Sequence, residues 1–158
     1  MTSTISTGTL TVTHKESLSL NGSEQGSTNI DTIADIANVS KRIVEDGTTE
    51  AVIATFSAAV AAGNYIAADV MYLRFTNLDD TNFVTLTFRN QDNDEFAVKV
   101  DAGHSFILSG DNVNGMSAVF NATQDADAAS STNFGSLTNI QADADTATVD
   151  LEMFIACK

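Results

Sequence analysis

The side chains able to do chemistry are few and far apart. The chain has two histidines, His14 and His104, and one cysteine, Cys157. Hydrolytic or transfer chemistry needs a nucleophile, a base and an orienting group brought together. The nearest approach is Gly103-His104-Ser105, which starts like a nucleophile elbow. Phe106 and Ile107 then stand where the motif needs any residue followed by glycine, and no helix is expected after the turn. His104 is therefore read as a turn residue at a strand start, and His14, beside Lys15, as an exposed polar residue. Cys157 has no partner within the chain for a disulfide and reads as an inert small side chain.

Carboxylates are plentiful, and hard cations take oxygen ligands. Asp125-Ala126-Asp127 and Asp143-Ala144-Asp145 offer the first two ligands of a calcium loop, without its glycine or distal glutamate. Asp92-Asn93-Asp94-Glu95 packs four oxygen-bearing side chains into one turn, which a tight hairpin explains without an ion. One cysteine and two distant histidines cannot close a zinc site or hold an iron–sulfur centre. No glycine-rich turn followed by lysine offers a phosphate loop. The expectation is a chain without catalytic, metal-binding or cofactor-binding residues. Asn-x-Ser/Thr triplets at Asn21, Asn38 and Asn121 are read as chance matches in a chain rich in these residues.

The elements expected to carry these residues are short strands. Val149, Leu151, Met153 and Ile155 alternate with Thr148, Asp150, Glu152 and Phe154, and Met71, Leu73 and Phe75 alternate with Tyr72, Arg74 and Thr76. Asn77-Leu78-Asp79-Asp80 is read as the turn of a hairpin into Phe83–Phe88. Asn90–Asp94 is read as the turn of a second hairpin into Phe96–Val100, with Ser105–Leu108 following. Further strands are expected over Thr9–Thr13, Ser17–Leu20, Val39–Val44 and Ala51–Phe56. Ile30, Ile33 and Ile36, capped by Asp31, admit one or two helical turns, and Ser57–Gly63 admits a short helix ended by glycine. The stretch 122–146, mostly Ala, Asp, Ser, Thr and Asn, is expected to be a long acidic surface excursion before the last strand, touching a neighbouring subunit. These signals predict one all-β domain over 1–158, an antiparallel sandwich or jelly roll of eight to ten short strands with minor helical turns. A polar N-terminal arm is expected over 1–8.

Composition agrees with a single folded domain: 158 residues, 43% of them apolar, are enough for one core. A net charge of −14 with seven Lys and Arg argues against phosphate-backbone and anionic-membrane partners. No apolar run approaches the roughly 20 residues of a membrane span. The opening Met1-Thr2-Ser3-Thr4-Ile5-Ser6 lacks the features of a signal peptide, so a cytoplasmic origin is expected. Proline is absent, where ordinary usage of about 5% would supply roughly eight. Gly, Asn, Asp and Ser must make every turn.

The stretch Tyr72-Leu73-Arg74-Phe75-Thr76-Asn77-Leu78-Asp79-Asp80-Thr81-Asn82-Phe83-Val84, followed by Val98-Lys99-Val100-Asp101-Ala102-Gly103-His104-Ser105-Phe106-Ile107-Leu108, resembles small β-rich virion proteins of tailed bacteriophages. The similarity covers about residues 70–110 and lies in structural turns and strand entries, so it carries no catalytic residue. It implies a virion component, foremost a capsid decoration or cement protein that forms trimers or dimers and binds the major capsid protein at capsomer junctions. A tail-tube or head–tail connector subunit is the alternative, since an acidic channel wall would not hold DNA. A carbohydrate-binding module is a third reading, with Tyr65 and Tyr72 as its candidate platforms.

Overall fold

The computed structural model describes residues 5–120 and 134–158. In chain order the elements are β1 (Gly8–Lys15), β2 (Ser19–Leu20), β3 (Ser23–Glu24), β4 (Thr28–Ile36), β5 (Asn38–Asp46), β6 (Ala51–Ser57), β7 (Asn64–Ile66), β8 (Val70–Asn77), β9 (Val84–Asn90), β10 (Glu95–Val100), β11 (Ser105–Ser109), α1 (Gly115–Phe120), β12 (Leu137–Ala144) and β13 (Val149–Cys157). Nine strands build two sheets, ordered β10-β9-β12-β6-β7 and β11-β8-β13-β5. Every pairing in them is antiparallel except β6 with β7. The expected all-β sandwich is the observed architecture.

The alternation that marked the strands is what closes the core. Leu73, Phe75, Leu151, Met153 and Ile155 point inward from the four-stranded sheet and meet Val84, Leu86, Phe88, Ile140 and Ala142 of the five-stranded sheet. At one end Phe96 stacks on Phe88 with ring centroids 4.7 Å apart, and Phe106, Phe120 and Phe134 complete an aromatic cluster. α1 closes that end by burying Met116 and Phe120. It starts at Gly115, whose φ of +57° and lack of a Cβ let it sit against the Ala68 and Val70 carbonyls.

Four expectations change. The segment 71–88 is not a hairpin: β8 and β9 lie in opposite sheets, and β8 pairs instead with β11. Asn77, fully buried at the corner, donates to the Asn82 and Val100 carbonyls and accepts from the Asp79 amide, which satisfies the backbone where the chain crosses between sheets. The second expected hairpin does form, as β9 and β10. Residues 28–36 are a strand, not helical turns: β4 pairs along β1, and the ladder supplies the backbone bonds that an isolated turn of helix could not offset. Ser57 ends β6, residues 58–63 hold bends and a turn with Gly63 at φ +80°, and the described helix lies at 115–120 instead.

The acidic excursion is the largest correction. Residues 137–144 form β12, at the centre of the five-stranded sheet between β9 and β6. Leu137, Ile140, Ala142 and Ala144 face the core, and only Asp145 to Thr148 form an exposed turn before β13. Residues 122–133, with Asp125 and Asp127, lie outside the described residues, as do residues 1–4 of the expected arm. Residues 5–7 of that arm are exposed, and Gly8 already begins β1.

The first third of the chain forms an element of its own. β1 and β4 pair as a long ribbon whose tip is the small β2–β3 hairpin. Asn21 and Gly22 turn that tip with φ values of +53° and +79°, the left-handed pair that a two-residue hairpin loop requires. The ribbon lies over the outer face of the four-stranded sheet. There Leu10, Val12, Ile33 and Ile36 pack on Met71, Tyr72, Ile107, Phe154 and Ala156 as a second apolar cluster.

Candidate assembly surface

The residues that could have formed a reactive centre are dispersed. His104 sits in the exposed turn between β10 and β11, where its Nδ1 lies 2.8 Å from the Ala102 carbonyl and Gly103 takes φ +72°. Ser105 opens a strand rather than a helix, and its Oγ lies 2.8 Å from Thr76 Oγ1. His14 is on the ribbon, with its Nε2 3.5 Å from Asp31 Oδ2. Cys157 is buried, and burial together with the Asp69 charge pushes its thiol up to about 11, so it is neither a thiolate nor a nucleophile at neutral pH.

Several carboxylates are committed to backbone and to ion pairs. In the β9–β10 turn the Asn90 side-chain oxygen accepts from the Asp92 and Asp94 amides, its amide donates to Asp94 Oδ2, and Glu95 pairs with Arg89. Asp79 accepts from the Thr81 and Asn82 amides, which hold its carboxyl below the usual range, and Asp111 does the same with the Asn114 and Val113 amides. Asp143 points outward from β12, and the Asp145 amide donates to the Phe83 carbonyl. Among the described residues no three His, Cys, Asp or Glu side chains gather where they could share a metal ion.

Neither tyrosine offers an open platform for a sugar. Tyr72 is buried beneath the ribbon, edge-on to Phe154, and burial raises its hydroxyl above the usual value. Tyr65 is half-buried against Phe56, and its hydroxyl donates to Ser40 at 3.0 Å.

What the structure does bring together is a surface of strand edges and apolar side chains on the side of the four-stranded sheet. From β5 the odd-numbered residues Val39, Lys41, Ile43 and Glu45 face outward, opposite Ala156, Phe154, Glu152 and Asp150 of β13. Ile43 is 59% exposed and Val39 49%, although both stand in a well-formed strand. Glu152 accepts from Arg74 at 2.5 Å and from Lys41 at 3.0 Å, and these bonds hold its carboxyl below the ordinary range. Arg74 also lies over the Phe154 ring, 5.9 Å from its centroid. Beyond the ribbon contacts, Leu18, Leu20 and Ile30 project into solvent.

β5 ends its sheet, and no strand pairs with its far edge among the described residues. Along Asn38–Arg42 that edge borders a groove of about 740 Å³ whose other wall is Val52–Thr55 of β6 and Gly63–Tyr65. Arg42 reaches across it to the Ile53 carbonyl, and Tyr65 reaches back to Ser40. An inward-pointing charge of this kind keeps an edge from pairing indiscriminately.

One buried carboxylate stands apart. Asp46, at the end of β5, is 2% exposed, and neither carboxylate oxygen has a hydrogen-bond partner. Burial, followed by the charge of Asp143, pushes its carboxyl up to about 6.

Sequence reasoning found β1 as a strand over Thr9–Thr13 but missed β4, the ribbon the two make, and β12. The Asn21-Gly22 dipeptide was the available signal for the ribbon, since Asn-Gly between β-prone runs is the strongest short-range hairpin cue. Compared with models of protein families, with curated proteins and with solved structures, the chain shows no significant match.

Proposed function

We propose that the chain is a non-enzymatic structural subunit of a tailed-phage virion, most simply a capsid decoration protein that binds the major capsid protein and copies of itself. The observation that carries the assembly reading is the surface just described. An unpaired strand edge, the outward Val39 and Ile43 and the projecting Leu18, Leu20 and Ile30 occur, among the described residues, in a chain whose histidines and cysteine stand far apart. Apolar side chains held out on ordered strands carry a solvation cost that contact with a partner removes. The phage assignment rests on the resemblance of residues 70–110. Binding to the assembled shell alone would stabilise it by mass action.

Electron microscopy of particles carrying the protein tests this. Density on the icosahedral lattice at capsomer junctions is the expected result. Stacked rings in a tail would replace decoration by the tube reading, and absence from particles would remove both.

A further inference from the structure

We infer that β5 is the self-association edge of this protein, and that two copies pair it antiparallel about Ile43, joining their four-stranded sheets across a twofold axis. The inference deepens the assembly reading above and rests on it for its purpose, while its geometry comes from β5 itself.

The edge belongs to a nine-residue strand, it ends its sheet, and the groove beside Asn38–Arg42 keeps open space along it. β5 contains no proline to remove a ladder donor. What selects the partner is the order of charges. Lys41 and Arg42 lie toward one end of the strand, Glu45 and Asp46 toward the other, with the exposed Ile43 between them. Parallel, in-register pairing would set Lys41 on Lys41 and Glu45 on Glu45. Antiparallel pairing about the axis reverses one strand and sets unlike charges opposite each other.

Side chains directly opposite in a sheet share a face, so an outward residue must meet an outward residue, and the axis must pass through a residue. Centred on Lys41 or Arg42, the pairing would oppose a cation to its own copy. Centred on Ile43, it opposes Ile43 to Ile43 and Lys41 to Glu45 on both sides of the axis, on one continuous outer face. Cross-strand apolar and opposite-charge pairs are the units that stabilise an antiparallel ladder. Glu45 lies in an acidic neighbourhood with Asp79, Asp80 and Asp150, which draws the incoming Lys41 more strongly. An isologous contact of this kind closes on itself and uses up the β5 edge of both copies.

Sedimentation velocity on the full chain gives the first test. The wild type is expected to be a dimer, Glu45→Lys to associate about tenfold more weakly or worse, and Lys41→Glu combined with Glu45→Lys to restore the dimer. Restoration in the doubly substituted chain excludes a simple folding defect as the cause. Oxidation gives the register: Ile43→Cys should cross-link rapidly to its own copy, whereas Leu20→Cys, 58% exposed at the ribbon tip against 59% for Ile43, should not. A monomeric wild type, a double substitution that stays dissociated, or equal cross-linking of the two cysteines would overturn the inference. Imaging separates the two readings. Particles carrying this chain as separated monomers sink the β5 pairing and leave the assembly reading standing, while a solution dimer absent from particles does the reverse.

Discussion

The two sheets turn unlike faces outward. The four-stranded sheet presents Tyr72, Phe154, Ala156 and Ile107, and the β1–β4 ribbon folds over them with Leu10, Val12, Ile33 and Ile36. The five-stranded sheet presents Thr85, Thr87 and Arg89 from β9 beside Asn139, Gln141 and Asp143 from β12, and among the described residues no second apolar cluster forms there. Both sheets share one core, so the difference lies in the outward half of each alternation. Where that half is apolar the sheet draws a cover. Where it is Thr, Asn and Gln, it draws none among the described residues.

The largest expected effect tests whether the cover is a structural layer. Ile33→Ala removes a side chain buried between ribbon and sheet and should cost about 2–4 kcal/mol in urea unfolding, as a core truncation does. Thr85→Ala, on the other outer face, should stay within about 0.5 kcal/mol. Equal effects would mean that the ribbon merely rests on the sheet.

The contrast also explains what could be read in advance. β13 was legible because Val149, Leu151, Met153 and Ile155 are large and recur at every second position without interruption. β12 was not, because its inward residues include the small Ala142 and Ala144, and register shifts after Leu137 and Ile140 break the period of two. Small residues there let the bulky side chains of the facing sheet come close. The composition of Asn77–Asp80 announces a turn, yet a hairpin and a crossing between sheets use the same residues. Only the burial of Asn77 and its bonds to Asn82 and Val100 distinguish them. The ribbon escaped because Ile30, Ile33 and Ile36 fit a helical spacing, whereas a local irregularity, with Asp35 at φ +61°, brings both Ile33 and Ile36 onto the sheet. Of the candidate surface, Val39 and Ile43 were legible as strand residues, but their exposure is set by tertiary context.

Asp46 probes the interior behind these faces. Its carboxyl is raised to about 6 from 3.8, so the folded chain holds that proton more tightly than the unfolded chain. The resulting stability is fully present below about pH 4 and is lost as the pH rises through 6, at a cost of at most about 3 kcal/mol. Asp46→Asn should therefore be more stable than the wild type at pH 7–8, with the gap closing in acid. Asp143→Asn should shift the wild-type transition toward lower pH, because it removes the second cause of the shift. A pH-independent gap for Asp46→Asn would mean that the carboxylate is solvated after all.

The smallest expected effect belongs to the ion network on the covered face. Glu152→Gln removes the acceptor shared by Arg74 and Lys41 but leaves Arg74 against Phe154. It should lower the melting temperature slightly at low ionic strength, and much less at high salt, since exposed Lys41 is readily screened. The sign with pH is opposite in origin to that of Asp46. Bonds from Arg74 and Lys41 depress the Glu152 carboxyl, so its contribution is present above the ordinary value of 4.5 and is lost as the pH falls through the lowered one. Wild type and Glu152→Gln should thus converge in acid from the opposite side to wild type and Asp46→Asn. A Glu152→Gln deficit that persists unchanged at pH 3 and at high salt would assign the role of Glu152 to packing rather than charge. The covered face would then be held by apolar contact alone, without help from its ion pairs.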